Sequence, residues 1–172
     1  MPVAIQKITN GNLYLDGESF MGRSEEITLP KIETNFTEHK GLGLHGTLEL
    51  PGGLKAMEAK IKWGNVYTEV MRKAANPYKA RMIMVRSSAE IFTSAGRIAE
   101  FPCVTIMNGF FRNIDAGTYA QNIAVNLETD LSVHYLKIIH AGVVILEVDV
   151  MNNIYRAEGS DLLLNYKLNV GI

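Results

Sequence analysis

A single cysteine, Cys103, stands in a chain of 172 residues. One cysteine excludes an internal disulfide and leaves no second thiolate for a zinc site. It lies in the apolar run Phe101-Pro102-Cys103-Val104-Thr105-Ile106 and reads as a small buried hydrophobe rather than a reactive thiol. An excess of one charge is missing too. The 17 basic side chains face 18 acidic ones, so the chain has no global attraction for nucleic acid or for an anionic membrane. No apolar run approaches the ~20 residues a membrane helix needs, and no membrane anchor is expected. Residues 1–7 lack a basic stretch followed by an apolar one, so no signal peptide is expected. Without one, the Asn35-Phe36-Thr37 triplet carries no meaning as a glycosylation acceptor, and synthesis in a reducing cytoplasm fits the lone thiol.

What is present is apolar surface. Hydrophobic residues make up 47% of the chain, enough for a real core, and the length suits one domain spanning 1–172. The dominant pattern has period two. In Met57-Glu58-Ala59-Lys60-Ile61-Lys62-Trp63 apolar and charged residues alternate, as in a strand with one packed and one wet face. Residues 131–139 and 143–150 read as two more strands joined by a His140-Ala141-Gly142 turn. Residues 162–170 alternate as well, with Leu163 the exception, and predict another strand. Leu13-Tyr14-Leu15 runs into Asp16-Gly17, a two-residue hairpin signal because type I′ turns need positive φ.

Only one segment has helical spacing. Val66, Tyr67, Val70, Met71, Ala74 and Tyr78 recur every three or four residues, with Asn65 as the expected N-cap and an end near Ala75, just before the restriction that Pro77 places on Asn76. Residues 87–99 are ambiguous in pattern and read as strand and loop. The reading is mainly β (α+β): an antiparallel β-sandwich or barrel with one flanking α-helix and an extended arm at about 40–54. The arm is rich in glycine, yet Leu42, Leu44, Leu48 and Leu50 share a side. Either it is a partner surface, or it is a long strand folded back on its own core.

Motifs for chemistry are weak. Gly41-Leu42-Gly43-Leu44-His45-Gly46 matches G-x-G-x-x-G, but no hydrophobic strand precedes it and no helix follows, as dinucleotide binding requires. The four histidines lack the i, i+4 spacing of a zinc helix; His134 and His140 read as cross-strand or turn residues. The pairs Glu128/Asp130 and Glu147/Asp149 read as solvated strand faces rather than a glycosidase dyad. No nucleophile, acid or base constellation is visible, so no catalytic residue, metal or cofactor is expected. A small-molecule-binding β-barrel is the alternative from another functional class; it would need an apolar interior cavity.

Several segments together resemble the major tail tube proteins of contractile bacteriophages and R-type bacteriocins. Asn12-Leu13-Tyr14-Leu15-Asp16-Gly17-Glu18-Ser19-Phe20-Met21-Gly22 is similar to their N-terminal hairpin, and Ile27-Thr28-Leu29-Pro30-Lys31 to a T-L-P-K strand. Lys40-Gly41-Leu42-Gly43-Leu44 falls where that family has a basic residue and a glycine-rich turn. Leu54-Lys55-Ala56-Met57-Glu58-Ala59 resembles its L-x-A-M-E-A strand. Val133-His134-Tyr135-Leu136, Leu146-Glu147-Val148-Asp149-Val150-Met151-Asn152-Asn153-Ile154 and Gly159-Ser160-Asp161 follow in the family's order. Val143-Val144 departs from it, standing where many members carry a polar turn.

The resemblance implies a structural subunit. Hexameric rings stack into a hollow tube inside a sheath, capped by terminator and baseplate proteins, in the virion tail. DNA passes through without specific binding in phages; in bacteriocins or secretion-type injectors the tube carries none. The charge balance agrees, because a basic lumen would hold phosphates. The faces with Glu147/Asp149 and Glu58/Lys60/Lys62 are expected at the channel or the sheath, with a mildly acidic channel favoured. Leu42, Leu44, Leu48 and Leu50 are the expected inter-subunit residues. Trp63 and Ile61 are expected in the core.

Overall fold

The computed structural model describes residues 3–117, 119–121, 125 and 127–172. In chain order the elements are β1 (Ile5–Leu15), β2 (Glu18–Ser19), β3 (Ser24–Thr28), β4 (Thr34–His39), β5 (Leu48–Leu54) and β6 (Met57–Trp63). Then come α1 (Thr68–Ala74), β7 (Arg81–Thr93), β8 (Gly96–Phe111), β9 (Leu127–His140), β10 (Val143–Asp149), β11 (Ile154–Ala157), β12 (Ser160–Asp161) and α2 (Leu164–Val170). Strand pairings are antiparallel throughout the described residues.

Local chemistry explains the turns. Asp16 and Gly17 adopt φ of 53° and 83°, and Ala141 and Gly142 adopt 50° and 82°. These left-handed pairs twist with the strands they join, β1 to β2 and β9 to β10. The alternation in β6 is realised in full: Met57, Ala59, Ile61 and Trp63 are buried, while Glu58 and Lys60 face water.

One sheet of ten strands runs β12-β11-β10-β9-β8-β7-β1-β2, with β3 and β6 attached off that path. Its branch point is β9. Residues Leu127 to Val133 pair with β6, whereas Tyr135 to His140 pair with β10. On the other edge β8 pairs with Leu131 to His140. At the junction Val150 N–H donates to the His134 carbonyl at 2.9 Å. The two branches fold around a common core of Leu13, Leu15, Phe20, Ile61, Trp63 and Leu131, among others, closed by Val70 and Ala74 of α1. This is the antiparallel sandwich or barrel with its flanking helix. Cys103 is buried, and burial pushes its thiol pKa up, as a structural cysteine should behave.

Two expectations need correction, and one open reading is resolved. The helix begins at Thr68, not Val66. Asn65 Oδ1 accepts the N–H of the next residue, Val66, at 2.8 Å, and extended Tyr67 occupies the N-cap without a side-chain bond. Its end, at Ala75, is as expected. The ambiguous residues 87–99 form the outer half of a long β7–β8 hairpin that turns between Thr93 and Gly96. Residues 162–170 are not a strand; Leu164–Val170 is helix α2. Leu164/Leu168 and Tyr166/Val170 are i, i+4 pairs as well as alternate positions, so the pattern fits both periods. The choice falls to the ends. Asp161 accepts the Leu163 N–H at 3.1 Å and the Lys167 ammonium at 2.7 Å, which holds its carboxyl below the usual range. Gly171 terminates the helix at φ 75°.

Candidate assembly surfaces

The arm is a hairpin. β4 and β5 pair as a separate two-stranded sheet, and the pairing continues at its foot, where Lys55 N–H donates to the Glu33 carbonyl at 2.8 Å. The G-x-G-x-x-G match forms its tip between two strands, with Gly43 at φ 88°. That geometry offers no helix N-terminus to a pyrophosphate. Leu42 is fully exposed at the tip, and Leu44, Leu48 and Leu50 are 52%, 49% and 46% exposed. Phe36, on β4, is 59% exposed. The leucines are therefore turned to solvent rather than folded back on the chain's own core. Leu48 and Leu50 lie on β5, whereas Leu42 and Leu44 lie in the loop at the tip.

At the foot of the arm lies a surface that sequence reasoning missed. A cleft of about 590 Å³ opens between Pro51–Leu54, the β10–β11 turn and α2. Leu54, Val148, Val150, Ile154, Tyr155 and Tyr166 give it an apolar lining. The misread helix hid it: as a strand, residues 162–170 would have lain in a sheet, whereas as α2 they form one wall.

The sheet also has free edges. β2 covers β1 only at Tyr14 and Leu15, so 5–12 lacks an outer partner strand among the described residues. Ile5 and Ile8 there are exposed, as are Val143 and Ile145 on β10.

The charged faces differ from each other. Along β6 and β9, Lys60 donates to Glu128 at 2.8 Å. That contact raises the lysine and lowers the carboxyl. Arg112 pairs with Glu58, and Asn113 donates to Asp130 at 2.6 Å. This face is solvated, with its charges largely matched. The Glu147/Asp149 face is not solvated in the expected way. Glu147 is only 8% exposed. It accepts from Tyr135 at 3.0 Å, Arg156 at 3.1 Å and Lys137 at 3.4 Å, side chains on the strands to either side that cover it. Burial acts to raise its pKa, but these hydrogen bonds and the Lys137 charge prevail and hold it low. Asp149 is occupied locally, accepting the Met151 and Asn152 N–H groups at 3.0 and 3.1 Å.

His39 closes β4 and His45 lies in the arm tip. His134 lies beside Phe110, ring centroids 5.3 Å apart, and His140 precedes the Ala141-Gly142 turn. Among the described residues no group of three or more His, Cys, Asp or Glu is placed to hold a metal, and no helix is long and apolar enough to cross a membrane.

The chain is 24% identical over 171 residues to the tail tube protein of Escherichia phage P2, covering 97% of this chain and 98% of that one. It is 27% identical over 159 residues to the major tail tube protein of Serratia phage KSP20, covering 91% and 90%. Two solved structures share the fold. Both are chains of an extracellular contractile injection system, PVC, in its extended state. The one from the sheath/tube terminator has a TM-score of 0.57 at 13% identity, covering 75% of this chain and 92% of that one. The one from the sheath-tube complex has a TM-score of 0.56 at 15% identity, covering 77% and 88%. The profile described as Phage tail tube protein FII matches residues 5–171, and the chain belongs to that family.

Proposed function

We propose that residues 1–172 form one tail tube domain whose copies assemble into hexameric rings, and that the rings stack into the hollow inner tube of a contractile phage tail. The subunit works by assembly and carries out no catalytic step. Its neighbours are further copies of itself, the sheath around the tube, and terminator and baseplate proteins at the ends. DNA passes through the lumen without specific binding. Relatives from two phages favour a DNA-conducting tail over a bacteriocin tube.

The observation that carries this reading is the arm, four exposed leucines on a hairpin whose strands, among the described residues, pair only with each other. Burying a leucine fully stabilises by about 1.5–3 kcal/mol. Several per subunit, repeated round a ring, suffice to drive stacking, since each arm is held while its neighbours engage. Ring closure falls to the free sheet edges, which a closed polymer protects. The acidic-channel expectation loses Glu147, whose charge is compensated within the subunit.

The double change Leu42→Asp with Leu44→Asp tests the arm. Circular dichroism should show a folded, soluble subunit, and electron microscopy should show no tubes. Normal tubes from this variant would remove the arm from the interface.

A further inference from the structure

The arm tip needs a receptor, and this chain contains one candidate of matching chemistry. We propose that the cleft between the arm's foot, the β10–β11 turn and α2 is the socket for Leu42 and Leu44 of the next copy along the tube. The inference rests on reading the arm as an inter-ring contact and adds the surface that receives it.

Four observations support the match. The cleft is lined by Leu54, Val148, Val150, Ile154, Tyr155 and Tyr166, and its 590 Å³ exceeds what a single side chain fills. The helix that walls it has no buried residue, and Tyr166 remains 51% exposed, so that wall is unfinished in the isolated chain. The tip presents leucines between glycines, with Gly41 and Gly43 adding no bulk beside Leu42, so it is narrow enough to insert. Tip and cleft also sit at opposite ends of one hairpin. β4 has six residues, which at about 3.3 Å each is roughly 20 Å of strand. A paired hairpin cannot bend its tip into its own foot, so a tip that fills this cleft comes from another copy.

That arrangement sets the symmetry. The tip of one copy enters the foot of the next, whose own tip then points onward. Such a heterologous contact does not close on itself, and a translation that repeats without closure generates a filament. A polymer that grows along an axis needs this kind of joint, and the lateral edges remain free to close each ring.

Two complementary defects test the socket. Gly53 lines the cleft, and a Cβ there would meet nothing within 4 Å. Gly53→Phe should therefore fill the cleft while leaving the subunit folded. Tyr166→Asp, on the exposed wall, is the second socket variant and is read in the same way should the first fail to fold. The arm variant Leu42→Asp/Leu44→Asp has a sound socket, and the socket variant has a sound arm. Each alone should fail to form tubes in electron microscopy. Mixed, they should give one joint and stop, seen as species of twice the unit mass in analytical ultracentrifugation.

Socket variants that polymerise normally, while the arm variant does not, would overturn the socket and leave the arm reading intact. Tubes from the arm variant would overturn both. Two inactive variants that never associate on mixing would also reject the socket, because the sound arm would then have met a sound cleft and not bound.

Discussion

Trp63 combines complete burial with two directional contacts. Its Nε1–H donates to Thr129 Oγ1 at 3.0 Å, and its ring meets Phe20 edge-on, centroids 5.4 Å apart. Trp63→Ala removes the packing and leaves a cavity, so it should cost about 3–5 kcal/mol in urea unfolding and lower soluble yield. Trp63→Phe keeps most of the volume but strands the Thr129 hydroxyl, a smaller loss of about 1–3 kcal/mol. The Glu147 cluster makes the subunit sensitive at both ends of the pH scale. Tyr135 is pushed up to about 12, first by burial and then by its hydrogen bond to Glu147. A raised folded value means that the stability from this phenol is whole below its ordinary value of about 10 and is lost as the pH rises towards 12. Glu147 is held low, so its contribution is present above the ordinary carboxylate range and disappears as the pH falls through the depressed value. Thermal melts across pH should show both limbs. Tyr135→Phe should flatten the alkaline one; an unchanged alkaline limb would remove Tyr135 as its cause.

Elements with one dry and one wet face were legible in the sequence, because β6 and the turns at Asp16-Gly17 and Ala141-Gly142 are decided by local sterics and burial. Elements settled by tertiary partners were not. Nothing local shows that β9 changes partner at His134, or that residues 162–170 find no strand to pair with and coil into α2. The arm leucines could be singled out because they alternate through a glycine-rich stretch, where little else is apolar. The cleft could not, since it is assembled from the arm's foot, the β10–β11 turn and the misread helix. Gly109 belongs to the same class. It sits at an irregularity between β8 and β9, where an added Cβ would lie 2.6 Å from the Ser132 carbonyl oxygen. The contact is with backbone, which cannot swing aside, so Gly109→Ala should destabilise by about 1–3 kcal/mol. Gly142→Ala, with open space but φ of 82°, should cost through backbone strain instead. Denaturant midpoints compare the two; equal stability of Gly109→Ala and the parent would show that the sheet yields at that point.

For the whole molecule, polymerisation should change what a protease can reach. Lys40 lies at the exposed end of the arm, its side chain 72% exposed and paired with Glu38 at 3.5 Å. Trypsin should nick the free subunit there first, and tubes should resist; cleavage at equal rates in both forms would count against arm burial. The branching of β9 has a kinetic consequence as well. Trp63 and Thr129, which bond each other, are 66 residues apart in the chain, so β6 leaves the ribosome long before its partner exists. At about 5–20 residues per second, that gap lasts roughly 3–13 s. The local β7–β8 hairpin can form meanwhile, but β6 must wait with its edge toward β9 open. Its charged side chains, Glu58, Lys60 and Lys62, then act as gatekeepers on a nascent strand that would otherwise recruit a sister chain. A protein whose final state is mass self-association thus depends on a delay in which the same tendency must be held off, and the order of synthesis determines when each contact becomes available.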